Sequence, residues 1–262
     1  MTAPVLEARH VTKRYGHVQA LDDVDFDVYS GEVTALIGDN GAGKSTLVKL
    51  LAGASKPDSG EILIDNKPVQ LGSPVQARNH GIETVYQDLA LAPDLDAAAN
   101  LHLGRETYLI RWLGVLDRKG MRESAVRAFA ELGVQLPDVR EPVASLSGGQ
   151  RQSVAVARAV AYASRIIFMD EPTAALGVVQ RGRVLDMIRR VRDRGIAVVL
   201  ISHNMPEVLA IADRIQVLRL GRRVATFTGA EASVEELVGA MTGALEIAQR
   251  NGHERNGREG AP

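Results

Sequence analysis

Residues 33–53 read VTALIGDNGAGKSTLVKLLAG, and this stretch decides the fold class. Val33 to Ile37 is a short run of strand length, the size of a buried strand. Gly38 to Gly43 is a glycine-rich loop, and from Lys44 to about Ala52 the apolar residues Leu47, Leu50 and Leu51 recur at helical spacing. Gly53 stands where a helix stops. The octet Gly38-Asp39-Asn40-Gly41-Ala42-Gly43-Lys44-Ser45 fits G-x-x-x-x-G-K-[ST], in the strand–loop–helix context that the pattern requires. Glycines there let backbone N–H groups turn inward and approach phosphate oxygens. The helix N-terminus adds partial positive charge. Lys44 is expected to reach the β- and γ-phosphates of a nucleotide, Ser45 to offer its hydroxyl to Mg²⁺, and Thr46 to continue the binding loop.

Working outward, strands and helices alternate. Val5 to His10 and Val24 to Val28 read as strands on the N-terminal side, with Asp22, Asp23, Asp25 and Asp27 between apolar positions, a half-exposed antiparallel pattern. Glu61 to Ile64 is a further strand, turned by Asp65-Asn66. Residues from about 88 to 155 differ: Leu89 to Leu103 is rich in Ala and Leu, and Arg122 to Leu132 has helical spacing, so this stretch reads as a helical insertion. Ile166 to Met169 and Ile196 to Ile201 read as buried strands on either side of a helix from Val178 to Arg194. A short helix, Val208 to Ala212, precedes a hairpin of Ile215 to Leu218 and Val224 to Phe227 around Gly221. Such alternation predicts an α/β fold, its sheet mainly parallel and covered on both faces. The tail from Gln249 to Pro262 is polar and glycine-rich, a composition that predicts disorder.

Composition narrows the function classes. The 262 residues are 45% hydrophobic and 24% charged, ordinary for a globular chain that buries its own core. With no cysteine, disulfides and thiolate metal sites are excluded. The 31 basic and 32 acidic side chains leave a net charge of −1, without the basic excess of most nucleic-acid binders. Met1 to His10 lacks the basic-then-apolar pattern of a secretion signal. No apolar run approaches the roughly 20 residues of a membrane helix, so a membrane role is expected to come through a partner.

A second chemical feature is the strand Ile166–Met169 ending in Asp170-Glu171. Two carboxylates must emerge at the carboxyl edge of the sheet, where ligands bind in open α/β folds. Asp170 is expected to hold Mg²⁺, and Glu171 to orient or deprotonate a water.

Leu146-Ser147-Gly148-Gly149-Gln150 lies between the phosphate loop and Asp170. Physically it is a helix start, with Ser147 as cap and two glycines that leave N–H groups open to an anion. With the loop and the acidic pair, in this order, the chain resembles the ATP-binding subunits of ABC transporters over residues 5–245. The resemblance implies a P-loop NTPase core of RecA-like type, with a small antiparallel β lobe and a helical subdomain at about 88–155. It implies one domain over 1–245, followed by a tail at 246–262. It implies that Ser147, Gly148, Gly149 and Gln150 bind the γ-phosphate held by a second subunit. By the same likeness Tyr15, before Gly16, stacks on adenine. Gln87 contacts Mg²⁺ or the water and links the site to a membrane subunit. His203, in Ile201-Ser202-His203-Asn204, contacts the γ-phosphate. The family often has Ser-Ala-Leu-Asp after Pro-Thr; here residues 174–177 read Ala-Ala-Leu-Gly, without the aspartate and the contact it makes across the interface.

Gly81 to Asp88, Asn100 to Glu106 and Glu171 to Leu176 are similar to the ribose, xylose and fructose group of monosaccharide importers. That likeness implies an ATP- and Mg²⁺-dependent motor peripheral to the cytoplasmic face of the cell membrane. Its partners would be a second copy or related cassette, integral-membrane permease subunits and, indirectly, an extracytoplasmic sugar-binding protein, with no nucleic acid. ATP binding would close the dimer and hydrolysis reopen it. Three other readings stay open at this point: a soluble ABC ATPase acting on ribosomes or DNA, an export motor, and a nucleotide-gated binding module with negligible turnover.

Overall fold

The computed structural model describes residues 3–174 and 176–244. The tail at 246–262 lies outside the described residues, as does Ala175.

The chain opens with β1 (Leu6–Tyr15) and β2 (Val18–Val28), which pair antiparallel. Both run further than the sequence indicates: Leu6 and Ala8 in β1 and Val24, Phe26 and Val28 in β2 face inward at period two, and an irregularity between Ala8 and Val11 turns Val11 inward as well. Then follow β3 (Val33–Ile37), the phosphate loop and α1 (Lys44–Leu51). β4 (Ser59–Ile64) turns through Asp65 and Asn66, both in left-handed conformation, into β5 (Lys67–Val69). That pair of residues tolerates the mirror-image turn that suits a hairpin. Strands β2-β1-β4-β5 form a four-stranded antiparallel lobe.

α2 (Pro74–Asn79) starts at a Ser73 cap with proline at its first position and leads to β6 (Ile82–Val85). The following region is only partly helical. α3 is confined to Ala97–His102, capped by Asp96, and it gives way to a hairpin of β7 (Tyr108–Ile110) and β8 (Val115–Leu116). The Ala- and Leu-rich run from Leu89 therefore overstates the helix. Leu89 and Ala90 take left-handed φ values of 59° and 45°, which no α-helix accommodates. α4 (Arg118–Leu132) and α5 (Gly148–Tyr162) complete this region.

β9 (Ile166–Asp170), α6 (Val178–Asp193), β10 (Ala197–Ile201), α7 (Met205–Ile211), β11 (Arg214–Arg219), β12 (Arg222–Thr228) and α8 (Val234–Thr242) close the fold. The main sheet runs β12-β11-β3-β10-β9-β6; only the β11–β12 pair is antiparallel. Each face carries its own core. One joins the sheet to α3, α4, α5 and α6, and the other joins it to α1 and the β lobe. A third, smaller cluster packs α7 and α8 on β11. Phe168 and Ile166 in β9 are fully buried, and a buried side chain of this size contributes about 1.5–3 kcal/mol relative to exposure. Ile37 ends β3 against the loop, and Asp170 ends β9 at the same edge, so both chemical segments open on one rim.

Candidate functional site

The loop after β3 is shaped by glycines whose replacement has no room. Gly38 has φ 151°, and a Cβ there would lie 2.2 Å from Leu218 O. Gly43 has φ 106°, and its Cβ would meet Ala20 O at 2.6 Å. Gly43 is also the N-cap of α1 and offers no side-chain acceptor, so the first N–H groups of the helix stay open to an external anion. Lys44 Nζ donates to Gly38 O at 2.6 Å and Asp39 O at 2.9 Å, which holds the ammonium over the loop. Burial pushes its pKa down, opposed by the charges of Glu171, Asp39 and Asp170. Ser45 is exposed and Thr46 half-buried at the start of the same helix.

Asp170 and Glu171 leave β9 as the sequence implies. Burial raises the Asp170 carboxyl above its ordinary value, Glu171 raises it further, and Lys44 and Lys49 oppose them. Glu171 sits in left-handed backbone at φ 51°, held by its N–H donating to Ile201 O at 3.0 Å. That conformation is uncommon outside glycine and is kept only where the surroundings determine it. Its side chain meets the loop after β10, where His203 Nδ1 lies 2.6 Å from Glu171 Oε1. Where the carboxylate oxygen accepts, Nδ1 is the donor of this bond.

One network about this pair has no counterpart in the sequence reading. Glu207, buried on α7, accepts from the Thr173 hydroxyl and, through its other oxygen, from Asn204 Nδ2 at 2.9 Å, with Arg181 3.6 Å away. Thr173 is two residues past Glu171, and Asn204 directly follows His203. The buried carboxylate therefore ties together the two loops that carry the Glu171–His203 pair. In sequence Glu207 looks only like the third residue of a helix capped by Asn204.

The signature residues form a separate surface. Ser147 caps α5 with a reciprocal box: its Oγ accepts from Gln150 N at 3.3 Å, and Gln150 Oε1 accepts from Ser147 N at 2.8 Å. Beside it is a cavity of about 300 Å³ lined by Ser147, Gly149, Gln150, Ser153, Gln180 and Arg183 among others. None of its lining comes from residues 38–46 or from Asp170, Glu171 or His203. Tyr15 ends β1, half exposed, with Lys13 Nζ 5.5 Å from its ring centroid. Gln87 is exposed in the turn just past β6. The next carbonyls, Leu89 O and Ala90 O, accept from Arg158 of α5 at 2.8 and 2.7 Å. Arg158 also lines a groove of about 370 Å³ with Glu83, Tyr86, Leu103, Arg105 and Tyr162.

The oxygen donors fit a hard divalent cation. Ser45 supplies a hydroxyl, and Asp170 is a carboxylate whose own surroundings disfavour its charge, a condition a cation relieves. Among the described residues no cluster of three or more His, Asp or Glu forms a metal cage. A magnesium ion at this rim would therefore take few protein ligands and complete its shell from phosphate and water.

Comparison with known proteins gives the family. The sequence profile of the ABC transporter family matches residues 21–174. The chain is 52% identical to the fructose import ATP-binding protein FrcA of Rhizobium meliloti over 248 residues, covering 93% of this chain and 95% of that one. It is 46% identical to the xylose/arabinose import ATP-binding protein XylG of Sulfolobus acidocaldarius, covering 91% and 94%. The ribose import ATP-binding protein RbsA 1 of Rubrobacter xylanophilus is 46% identical, but the chain spans only 47% of its length. Among solved structures, a dimeric bacterial ABC transporter cassette superposes with TM-score 0.73 at 26% identity, covering 87% of this chain and 100% of that one. A nucleotide-free cassette from an ABC transporter gives 0.74 at 28% identity, covering 87% and 92%.

Proposed function

Because this chain belongs to the ABC transporter family, as an ATP-binding subunit, we propose that it is the ATP-hydrolysing motor of a monosaccharide importer. The sugar reading is supported by relatives named for fructose and xylose/arabinose import that match along nearly their full length. The single observation that carries hydrolysis is the Glu171–His203 pair on the rim that also bears the phosphate loop.

In this reading the open N–H groups of the loop and Lys44 hold the triphosphate, and Tyr15 stacks on the adenine. Ser45, Asp170 and Gln87 would hold Mg²⁺, which when bound neutralises charge on the β- and γ-phosphates. Glu171 keeps Oε1 on His203 and turns its other oxygen to a water. It takes a proton as that water attacks the γ-phosphorus, and the bond to the ADP oxygen breaks. His203, held beside Glu171 by the bond at Nδ1, is placed to contact the γ-phosphate. Ser147 to Gln150 of a second copy supply the opposing contacts, so the region 1–245 acts as one cassette in a pair. Residues about 88–155 form its helical subdomain, and the groove by Gln87 receives the permease at the cytoplasmic face of the membrane.

Glu171→Gln retains the hydrogen bond to His203 but loses the base. Turnover is expected to fall by at least about 10²-fold, the usual contribution of a positioned general base, while ATP binding persists. Steady-state hydrolysis and nucleotide-dependent chromatography check both. Unimpaired hydrolysis removes the role of Glu171. Affinity capture of that variant with ATP from solubilised membranes should recover a polytopic permease; ribosomal or DNA-repair partners without one would favour the soluble alternative.

A further inference from the structure

The hairpin β7–β8 carries apolar residues that the fold leaves uncovered. Trp112 is 85% exposed, Leu109 68% and Leu113 55%, and Tyr108, Ile110 and Val115 are each at least 40% exposed. These six fall within eight consecutive residues, turned by a short 3-10 segment and Gly114 at φ 68°. The base of the hairpin is closed by Asp117 N donating to Thr107 O at 2.9 Å, so the tip is a formed element. Scattered exposed apolar residues need no explanation, but a contiguous patch with two aromatics marks a contact surface.

The charge around the patch indicates what covers it. Residues 106–122 contain Arg111, Arg118, Lys119 and Arg122 against Glu106 and Asp117. Asp117 is committed to capping α4 through Gly120 N at 2.8 Å. An apolar tip with Trp and Tyr, in a segment with more basic than acidic side chains, matches the boundary of an anionic bilayer, where aromatic rings sit at headgroup depth and cations meet acidic lipid. Cytoplasmic loops of membrane proteins carry an excess of Lys and Arg, so a basic hairpin suits lipid better than permease loops. Location agrees: Leu103 and Arg105, just before the hairpin, line the groove assigned to the permease, which puts the tip at the edge of the membrane-facing side.

We propose that the tip of this hairpin, centred on Trp112, inserts into the headgroup region of anionic membranes and orients the cassette beneath its permease. The proposal goes beyond the motor function and takes only its orientation from the groove assignment.

Trp112 is the chain's one tryptophan, so its emission reports on this site alone. The purified full chain is mixed with vesicles of phosphatidylcholine, with or without phosphatidylglycerol, some carrying brominated acyl chains. A blue shift and bromine quenching are expected with phosphatidylglycerol and should weaken with salt, as interfacial charge is screened. In sedimentation, Trp112→Ala is expected to bind these vesicles about tenfold or more weakly, the scale of withdrawing one large apolar side chain from water. Leu109→Asp should do the same, and both should hydrolyse ATP normally in solution. Emission unmoved by every lipid mixture overturns the proposal. So does a shift seen only in proteoliposomes containing the permease, which would assign the hairpin to a protein contact. Failure here with intact ATPase and permease capture leaves the motor assignment standing.

Discussion

At the scale of single residues, the site stores unfavourable interactions that ligands relieve. Asp170 is half-buried next to a second carboxylate, and both effects raise its pKa. A raised folded-state value means that the native fold holds this proton more tightly than the unfolded chain does. Its contribution is then fully present below the unfolded pKa, near 4 for an aspartate, and is lost as pH rises through the folded value. At neutral pH the charged Asp170 therefore weakens the ligand-free fold. Asp170→Asn is expected to raise the midpoint of thermal unfolding without nucleotide, flatten this part of the pH dependence and abolish Mg²⁺-dependent hydrolysis. Scanning calorimetry across acid and neutral buffers, with an ATPase assay, checks all three; a lower midpoint at neutral pH would contradict the assigned strain. The left-handed Glu171 is part of the same local cost, and its hydrogen bonds to Ile201 O and His203 keep it in place.

At the scale of elements, helix starts carry most of the chemistry. α1 opens at Gly43 and α6 at Gly177 with no side-chain cap, whereas α5 and α8 open at Ser147 and Ser233 with complete capping boxes. An uncapped start suits α1, which in the proposed function receives phosphate. The start of α6 has extended cap geometry, φ −69° and ψ 166°, that an aspartate can occupy. A Cβ on Gly177 would meet only the mobile end of Gln180, at 2.8 Å from Oε1. Gly177→Asp is thus expected to stabilise the chain by about 0.5 kcal/mol, since it replaces a glycine cap with a side-chain acceptor beside a positive helix end. Urea denaturation checks the sign, and a destabilised variant would show that Gln180 cannot yield. α5 has a further role: it starts with the signature and, through Arg158, clamps the carbonyls that follow Gln87. One rigid helix thereby spans from the signature to the groove.

At the scale of the whole molecule, the proposed reading puts two halves of a site on different surfaces of the chain. The phosphate loop, Asp170, Glu171 and His203 share one rim, while the signature cavity is lined by residues after α4 and by α5 and α6. Val178 and Val179, at the start of α6 near that cavity, are strongly exposed, apolar surface that suits contact with a second copy. Hydrolysis should therefore require pairing. Lys44→Ala and Ser147→Arg chains, each inactive alone, are expected to recover activity when mixed, because one mixed interface keeps an intact loop facing an intact signature. Mixed samples no more active than either variant alone would place the whole site within one chain.

Much of this was legible without coordinates. The loop of residues 38–46, the signature at 147–150 and the acid pair at 170–171 are each written in a few consecutive residues. Each is a strand–turn or turn–helix unit whose backbone needs are met locally by glycine, a capping serine or the end of an apolar run. Local pattern therefore determined the fold class and the ATP-binding family, and it supplied the residues proposed to bear the chemistry. It could not determine which of them touch. Glu171 and His203 are 32 positions apart, and Arg158 and Ala90 are 68 apart. They meet because parallel crossovers bring β9 beside β10 and lay α5 under the turn after β6. The extent of α3 and the exposure of the hairpin were likewise settled only by packing. An Ala- and Leu-rich run or a string of apolar residues fits core or surface equally well until the neighbouring elements are in place. Only the tertiary structure decided that Glu207 joins the loops that carry Glu171 and His203, that the signature stands apart from the phosphate loop, and that Trp112 points into solvent, because burial and long-range contact follow from sheet order rather than from spacing along the chain.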